Sequence, residues 1–221
     1  MYLWLILSVL FAALEVVAVL KNRRKLEYAA KPAVMVCLFL WLYSITGLRG
    51  STLWFGVGIL FSLAGDVFLM IALDRLFLFG LIAFLFAHLA YITGFREQLP
   101  IVNPWSFVVL LFIVINVSRL IRRIIGALRL KSQHKLVVPV AVYGIVISFM
   151  LYAAMSTLYD PAWNANAALL VSTGAFLFCV SDVILAWNKF VRPMRNGRAF
   201  NLTAYFLGQI ALIAGVISQF G

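Results

Sequence analysis

The chain has 221 residues, 65% of them hydrophobic and 11% charged, whereas soluble domains run at roughly half apolar and a quarter charged. A water-soluble fold cannot hide that much apolar surface. The net charge of +11 comes in short cationic runs between apolar stretches, which is the pattern of a membrane topology signal rather than of a nucleic-acid surface.

A bilayer core about 30 Å thick takes about 20 apolar residues of helix to cross, and the sequence supplies eight such stretches. They are predicted at Tyr2–Leu20, Ala30–Thr46, Thr52–Leu73, Leu76–Phe95, Ile101–Ile121, Leu136–Ser156, Ala162–Trp187 and Phe200–Phe220. Backbone polar groups in lipid must be satisfied within their own segment, so the class is all-α: a polytopic membrane protein of eight transmembrane helices. Short connections leave a single transmembrane domain over residues 1–221. The first segment begins at Met1 with no basic leader and no small-residue cleavage site before Lys21, so it is expected to be a retained helix. Cys37 and Cys179 lie singly inside apolar helices and read as small buried hydrophobes.

The basic residues alternate by loop. Loop 1 holds Lys21, Arg23, Arg24, Lys25 and Lys31, and loop 3 holds Arg75. Loop 5 holds Arg119, Arg122, Arg123, Arg129, Lys131 and Lys135; loop 7 holds Lys189, Arg192, Arg195 and Arg198. Only Arg49 and Arg96 fall in even loops. The odd loops are therefore expected in the cytoplasm and both termini outside. Trp4, Trp54, Trp105 and Trp163 all sit at the starts of odd-numbered helices, one outer aromatic belt under the same topology. The basic run of loop 5, with His134, reads as this topogenic signal resting on anionic headgroups. The expected location is a bacterial cytoplasmic membrane.

A carboxylate inside a spanning helix costs on the order of 3 kcal/mol on insertion scales, so each one needs a reason. Three qualify: Glu15, Asp66 and Asp182. Glu27, Asp74, Glu97 and Asp160 fall in loops or at helix ends and read as solvated. Counted from the cytoplasmic ends, Asp66 and Asp182 lie about 10–14 Å deep and Glu15 about 9 Å. His88 lies about 18 Å deep, closer to mid-membrane. A buried Asp or His can also serve only to bond a neighbouring helix.

The two aspartates have matching neighbours: Gly65-Asp66-Val67-Phe68-Leu69 and Ser181-Asp182-Val183-Ile184-Leu185. The next helix carries a polar group in each case, His88 and then Gln209. A spacing of four helices preserves direction, so the repetition points to a parallel four-plus-four duplication, residues 1–97 and 101–221.

Two carboxyls in an apolar setting form an acid–base pair. Competing devices are missing: no Gly-x-Ser-x-Gly elbow, His-Glu-x-x-His, Cys-x-x-Cys or phosphate-cradling glycine loop occurs. Lys31-Pro32, Gly65-Asp66, Ala87-His88, Ser181-Asp182 and Tyr205-Phe206-Leu207-Gly208-Gln209, in that order and spacing, resemble the lysoplasmalogenase (YhhN-like) family from Glu15 to the last helix. Some members of the family have His in place of Gln209.

The resemblance implies hydrolysis of the vinyl ether bond of lysoplasmalogens, releasing a fatty aldehyde and glycerophosphoethanolamine or glycerophosphocholine. Its two aspartates carry over to Asp66 and Asp182, one to protonate carbon and one to activate water, with His88 orienting or relaying. Which Asp takes which role stays open. Lys31, Glu15, Gln209, Tyr205 and Ser181 are the expected substrate-binding residues, with Lys31 or an Arg of loop 7 on the phosphate. No cofactor is expected, since the vinyl carbon needs a proton rather than a Lewis acid, although two Asp and one His also suit a divalent ion. The expected partners are a lysophospholipid substrate and membrane lipids, with no nucleic acid. The alternative is a proton-coupled lipid or small-solute transporter using the same carboxylates; a third reading makes the aspartates mere helix glue.

Overall fold

A computed structural model describes residues 2–95 and 104–221. Met1, Arg96, Glu97 and the expected start of the fifth helix at Ile101 lie outside the described residues. The eight helices are α1 (Leu3–Leu20), α2 (Arg24–Thr46), α3 (Ser51–Ile71), α4 (Phe77–Phe95), α5 (Pro104–Leu130), α6 (Val137–Ser156), α7 (Ala165–Ala186) and α8 (Gly197–Phe220). A π-helical turn, Trp187–Val191, prolongs α7. Among the described residues, seven helices are long and apolar enough to cross a membrane; α5 is not among the seven.

Two boundaries depart from the sequence reading by more than three residues. Helix α2 begins at Arg24 rather than Ala30, and α5 runs to Leu130 rather than Ile121. Arg, Lys and Glu are good helix formers. Hydropathy marks where the apolar zone ends, and the backbone hydrogen-bond ladder continues past that point. One consequence corrects an expectation about charge: Glu27 is no solvated loop residue but lies on α2, 5% exposed, with its Oε2 receiving Arg198 at 2.7 Å.

The odd loops gather at one end of the bundle. Lys189 Nζ meets Asp74 Oδ1 at 2.7 Å, joining loops 7 and 3. Arg198 joins the start of α8 to α2, and Lys131 donates to the Lys189 carbonyl at 3.5 Å. At the other end Gln219 accepts from the Asn164 N–H at 2.8 Å and donates to the Ala162 carbonyl at 2.9 Å. There Trp163 packs between Phe95 and Phe220, while Trp54 and Trp105 remain exposed.

The helices pack most extensively as hairpins: α7 with α8, α3 with α4, and α1 with α2. The α7–α8 approach depends on glycine. A Cβ at Gly174 would fall 2.7 Å from the Gly208 carbonyl oxygen, backbone that cannot yield, so small residues let the two backbones touch. Cys37 is buried as expected, whereas Cys179 is partly exposed along an apolar chamber.

Candidate active site

Asp66 sits five residues before the end of α3 and is 2% exposed. Gly65 beside it leaves room for the Phe84 ring, which a Cβ would meet at 2.7 Å. Lys31 of α2 places its Nζ 2.9 Å from Asp66 Oδ1, and Tyr205 of α8 donates to Oδ2 at 2.8 Å. Three helices therefore meet on one carboxylate. A carboxylate buried this deeply in the helices is tolerated because the tyrosine hydrogen bond and the lysine together satisfy its oxygens.

Asp182, on α7, is held differently. Tyr143 of α6 donates a hydrogen bond to Oδ2, and no Lys or Arg pairs with it among the described residues. His88 of α4 stands behind, its Nε2 2.9 Å from the Tyr143 oxygen and 3.7 Å from Asp182 Oδ2. A phenol that donates to the carboxylate can only accept from the imidazole, which assigns the proton to Nε2. The Nδ1 atom is buried without a hydrogen-bond partner among the described residues. Phe178 packs edge-on against the ring at 4.8 Å between centroids.

Both aspartates open onto a polar cavity of about 370 Å³ at the odd-loop end. Its walls also carry Glu15, Glu27 and Lys31 from the first hairpin, Ser181 from α7, and Arg198, Asn201 and Tyr205 from α8. A second chamber of about 120 Å³ lies between α4, α5, α6 and α7, lined by Phe77, Leu81, Val117, Ile121, Gly144 and other apolar groups. Asp182, Leu69, Phe84 and Leu185 line both spaces. Asp182 is the one acid at their junction.

Of the residues read from sequence, Asp66, Asp182, Glu15, Lys31, Tyr205 and Ser181 all reach the polar cavity. Lys31 is engaged with Asp66 and not held free for a phosphate. Ser181 accepts from Asn201 Nδ2 through its carbonyl at 2.7 Å and its hydroxyl at 3.0 Å. His88 stands one residue back, behind Tyr143. Gln209 lines neither space: its Oε1 accepts from Tyr91 at 2.9 Å and its Nε2 donates to Ser62 at 3.1 Å, tying α3, α4 and α8 together. Sequence reasoning missed Tyr143, Glu27, Arg24 and Asn201. A tyrosine in an apolar helix carries no signal of its own. The signal for Glu27 was the spacing Arg24…Glu27…Lys31, one helical face running into the membrane. No group of three His, Cys, Asp or Glu side chains suited to a metal ion occurs among the described residues.

The YhhN family matches residues 26–216, most of the helical domain and the residues of this site named above except Glu15 and Arg24. The chain belongs to the YhhN family. Lysoplasmalogenase TMEM86B of Homo sapiens is 27% identical over 181 residues, covering 82% of this chain and 70% of that protein. Its Mus musculus counterpart is 29% identical over 188 residues, covering 85% and 74%. Lysoplasmalogenase TMEM86A of Homo sapiens is 29% identical over 167 residues, 74% of this chain and 65% of the relative. No solved structure matches. With its apolar helices, this YhhN-family chain is a multi-pass membrane protein.

Proposed function

We propose that this YhhN-family protein is a membrane-embedded hydrolase that cleaves the vinyl ether bond of lysoplasmalogens. The observation that carries the reading is the place of Asp182, at the seam between a polar cavity and an apolar chamber. A single-chain ether lipid has the same layout: a charged head, an alkenyl tail and a vinyl ether between them. The names of the relatives support the same chemistry.

Orientation divides the roles. With the tail in the apolar chamber, the vinyl carbon farther from oxygen faces Asp182, which delivers its proton there. An oxocarbenium ion forms, as in glycoside cleavage. Asp66, ion-paired with Lys31, then takes a proton from the water that attacks the carbon bearing oxygen. The hemiacetal collapses to a fatty aldehyde and a glycerophospho-base. Tyr143 and His88 position Asp182, the proton gained by Asp66 passes back to Asp182 through the polar cavity that both line, and no cofactor is needed.

The same reading takes α5 as the eighth span and the odd loops as cytoplasmic, supported by their gathering at the cavity end. It also takes the halves as a duplication: Asp66 of α3 bonds to α8, while Asp182 of α7 lies beside His88 on α4, the exchange that a twofold relation produces. The test is aldehyde release by purified protein from a defined alkenyl lysophospholipid in detergent. Release without any ion gradient separates the hydrolase from a carrier, and its absence at full folded yield rejects the hydrolase.

A further inference from the structure

The lining that α1 and α2 give the polar cavity consists of Glu15, Arg24, Glu27, Tyr28 and Lys31. Its charges are mostly spoken for. Lys31 is paired with Asp66, and Glu27 with Arg198. Glu15 and Arg24 make no ion pair among the described residues. Glu15 is 1% exposed, and its Oε2 has no hydrogen-bond partner. A buried acceptor left without a donor is a cost that folding alone does not explain. Arg24 stands exposed at the cavity mouth. One unpaired carboxyl inside and one unpaired guanidinium at the rim, among the described residues, complement the two charges of a zwitterionic headgroup.

We propose that Glu15 is the acceptor for a primary ammonium headgroup, with Arg24 on the adjacent phosphate. This makes the site select ethanolamine over choline lysoplasmalogens, an inference that rests on the hydrolase reading above. The chemistry favours N–H donors. A carboxylate oxygen lacking a hydrogen bond gains one from –NH3+ and none from a trimethylammonium, which is better served by a cage of aromatic faces. Tyr28 is the only aromatic ring among the five. A polar site built for a donor discriminates strongly against an analogue without one, because its own buried group is left unpaired. Glu27 keeps a second buried oxygen, Oε1, free on the same wall.

Full-length protein assayed on alkenyl lysophosphatidylethanolamine and alkenyl lysophosphatidylcholine of equal chain length provides the test. Wild type is expected to prefer ethanolamine in kcat/KM by about tenfold or more, carried by KM. Glu15→Gln keeps volume and removes charge, so the preference should collapse toward unity, while Glu15→Asp, which restores a carboxylate, should retain most of it. A wild type without headgroup preference, or a Glu15→Gln variant that slows both substrates equally, overturns the proposal. Competition binding with the saturated, uncleavable alkyl ether analogues separates the two readings. Selective ethanolamine binding that Glu15→Gln abolishes, in a protein that releases no aldehyde, sustains the headgroup site and rejects the hydrolase. Equal binding of both analogues rejects the headgroup site even if cleavage proceeds.

Discussion

Asp66 and Asp182 have similar sequence neighbours and dissimilar surroundings. Asp66 is locked between an ammonium and a phenol, fully buried, with three helices converging on it. Asp182 faces a phenol and an imidazole, pairs with no Lys or Arg among the described residues, and is open on both a polar and an apolar side. Repetition of a short motif thus fixes where a carboxyl enters the bundle, and the partner helices decide what it can do. The difference makes the two halves separable by experiment.

The largest expected effect is on turnover. Asp66→Asn and Asp182→Asn should each reduce aldehyde release by about a thousandfold, since neither proton donor nor base survives. Stability should split them. Asp66→Asn leaves Lys31 inside the bundle without its counter-ion, a loss of about 3 kcal/mol or more for a buried pair. Asp182→Asn strands no charge, so its melting in detergent should match wild type. Equal destabilisation of both variants would break the asymmetry.

Next come the tyrosines. Tyr143→Phe removes the hydrogen-bond donor to Asp182 and should slow turnover by about 10- to 100-fold, the size of a hydrogen bond to a charged group. Tyr205→Phe removes one of two partners of Asp66 and should cost less than about tenfold, because Lys31 still holds the carboxylate. Steady-state kinetics on the two variants decide the order. The reverse order would make Asp66 the more dependent residue.

The uneven legibility of the site follows from the same physics. Asp66, Asp182 and Glu15 stand out in sequence because a carboxylate in an apolar run is expensive. Their partners stand out less. Lys31 and Tyr205 entered the site only through the family resemblance, and Tyr143 lies in the run Val140-Ala141-Val142-Tyr143-Gly144, where an aromatic is unremarkable. The helices themselves were readable from length and apolarity, yet α5 and α2 were cut short where charge begins. Gln209 drew attention as a polar group in an apolar helix and proves to bond Tyr91 and Ser62, away from either space. Composition exposes the cost of a buried polar group, whereas the tertiary partner that offsets it is set by packing.

The apolar chamber sharpens the contrast further, since Asp182 borders it and Asp66 does not. Gly144 lines its α6 wall, and a Cβ there would meet Ile121 Cδ1 at 2.7 Å. Gly144→Leu should therefore occupy space claimed for the alkenyl tail. Its kcat/KM is expected to fall by about tenfold for a long-chain substrate and by less for a short one. An identical loss at every chain length would place the tail elsewhere.

The smallest effect comes from the second lysine–aspartate pair. Lys189 and Asp74 are 2.7 Å apart, as close as Lys31 and Asp66, yet the Asp74 side chain is 94% exposed. The hydrogen bond from Lys189, and then its charge, hold the Asp74 carboxyl below the usual carboxylate value. A folded-state value lower than the unfolded one contributes stability that is present above about pH 4 and is lost as pH falls through the depressed folded value. Solvent and salt screen such a pair, so the contribution is small. Asp74→Asn should leave melting near neutral pH almost unchanged and abolish only a slight wild-type decline as pH falls below about 4, a difference that high salt erases. If Asp74→Asn instead destabilised the protein at neutral pH as much as Asp66→Asn, burial would not be what separates the two pairs. Lys189 also lies 4.9 Å from the centroid of the Phe77 ring, at the rim of the apolar chamber, so Lys189→Met should keep the packing of its stem and reproduce the Asp74→Asn profile.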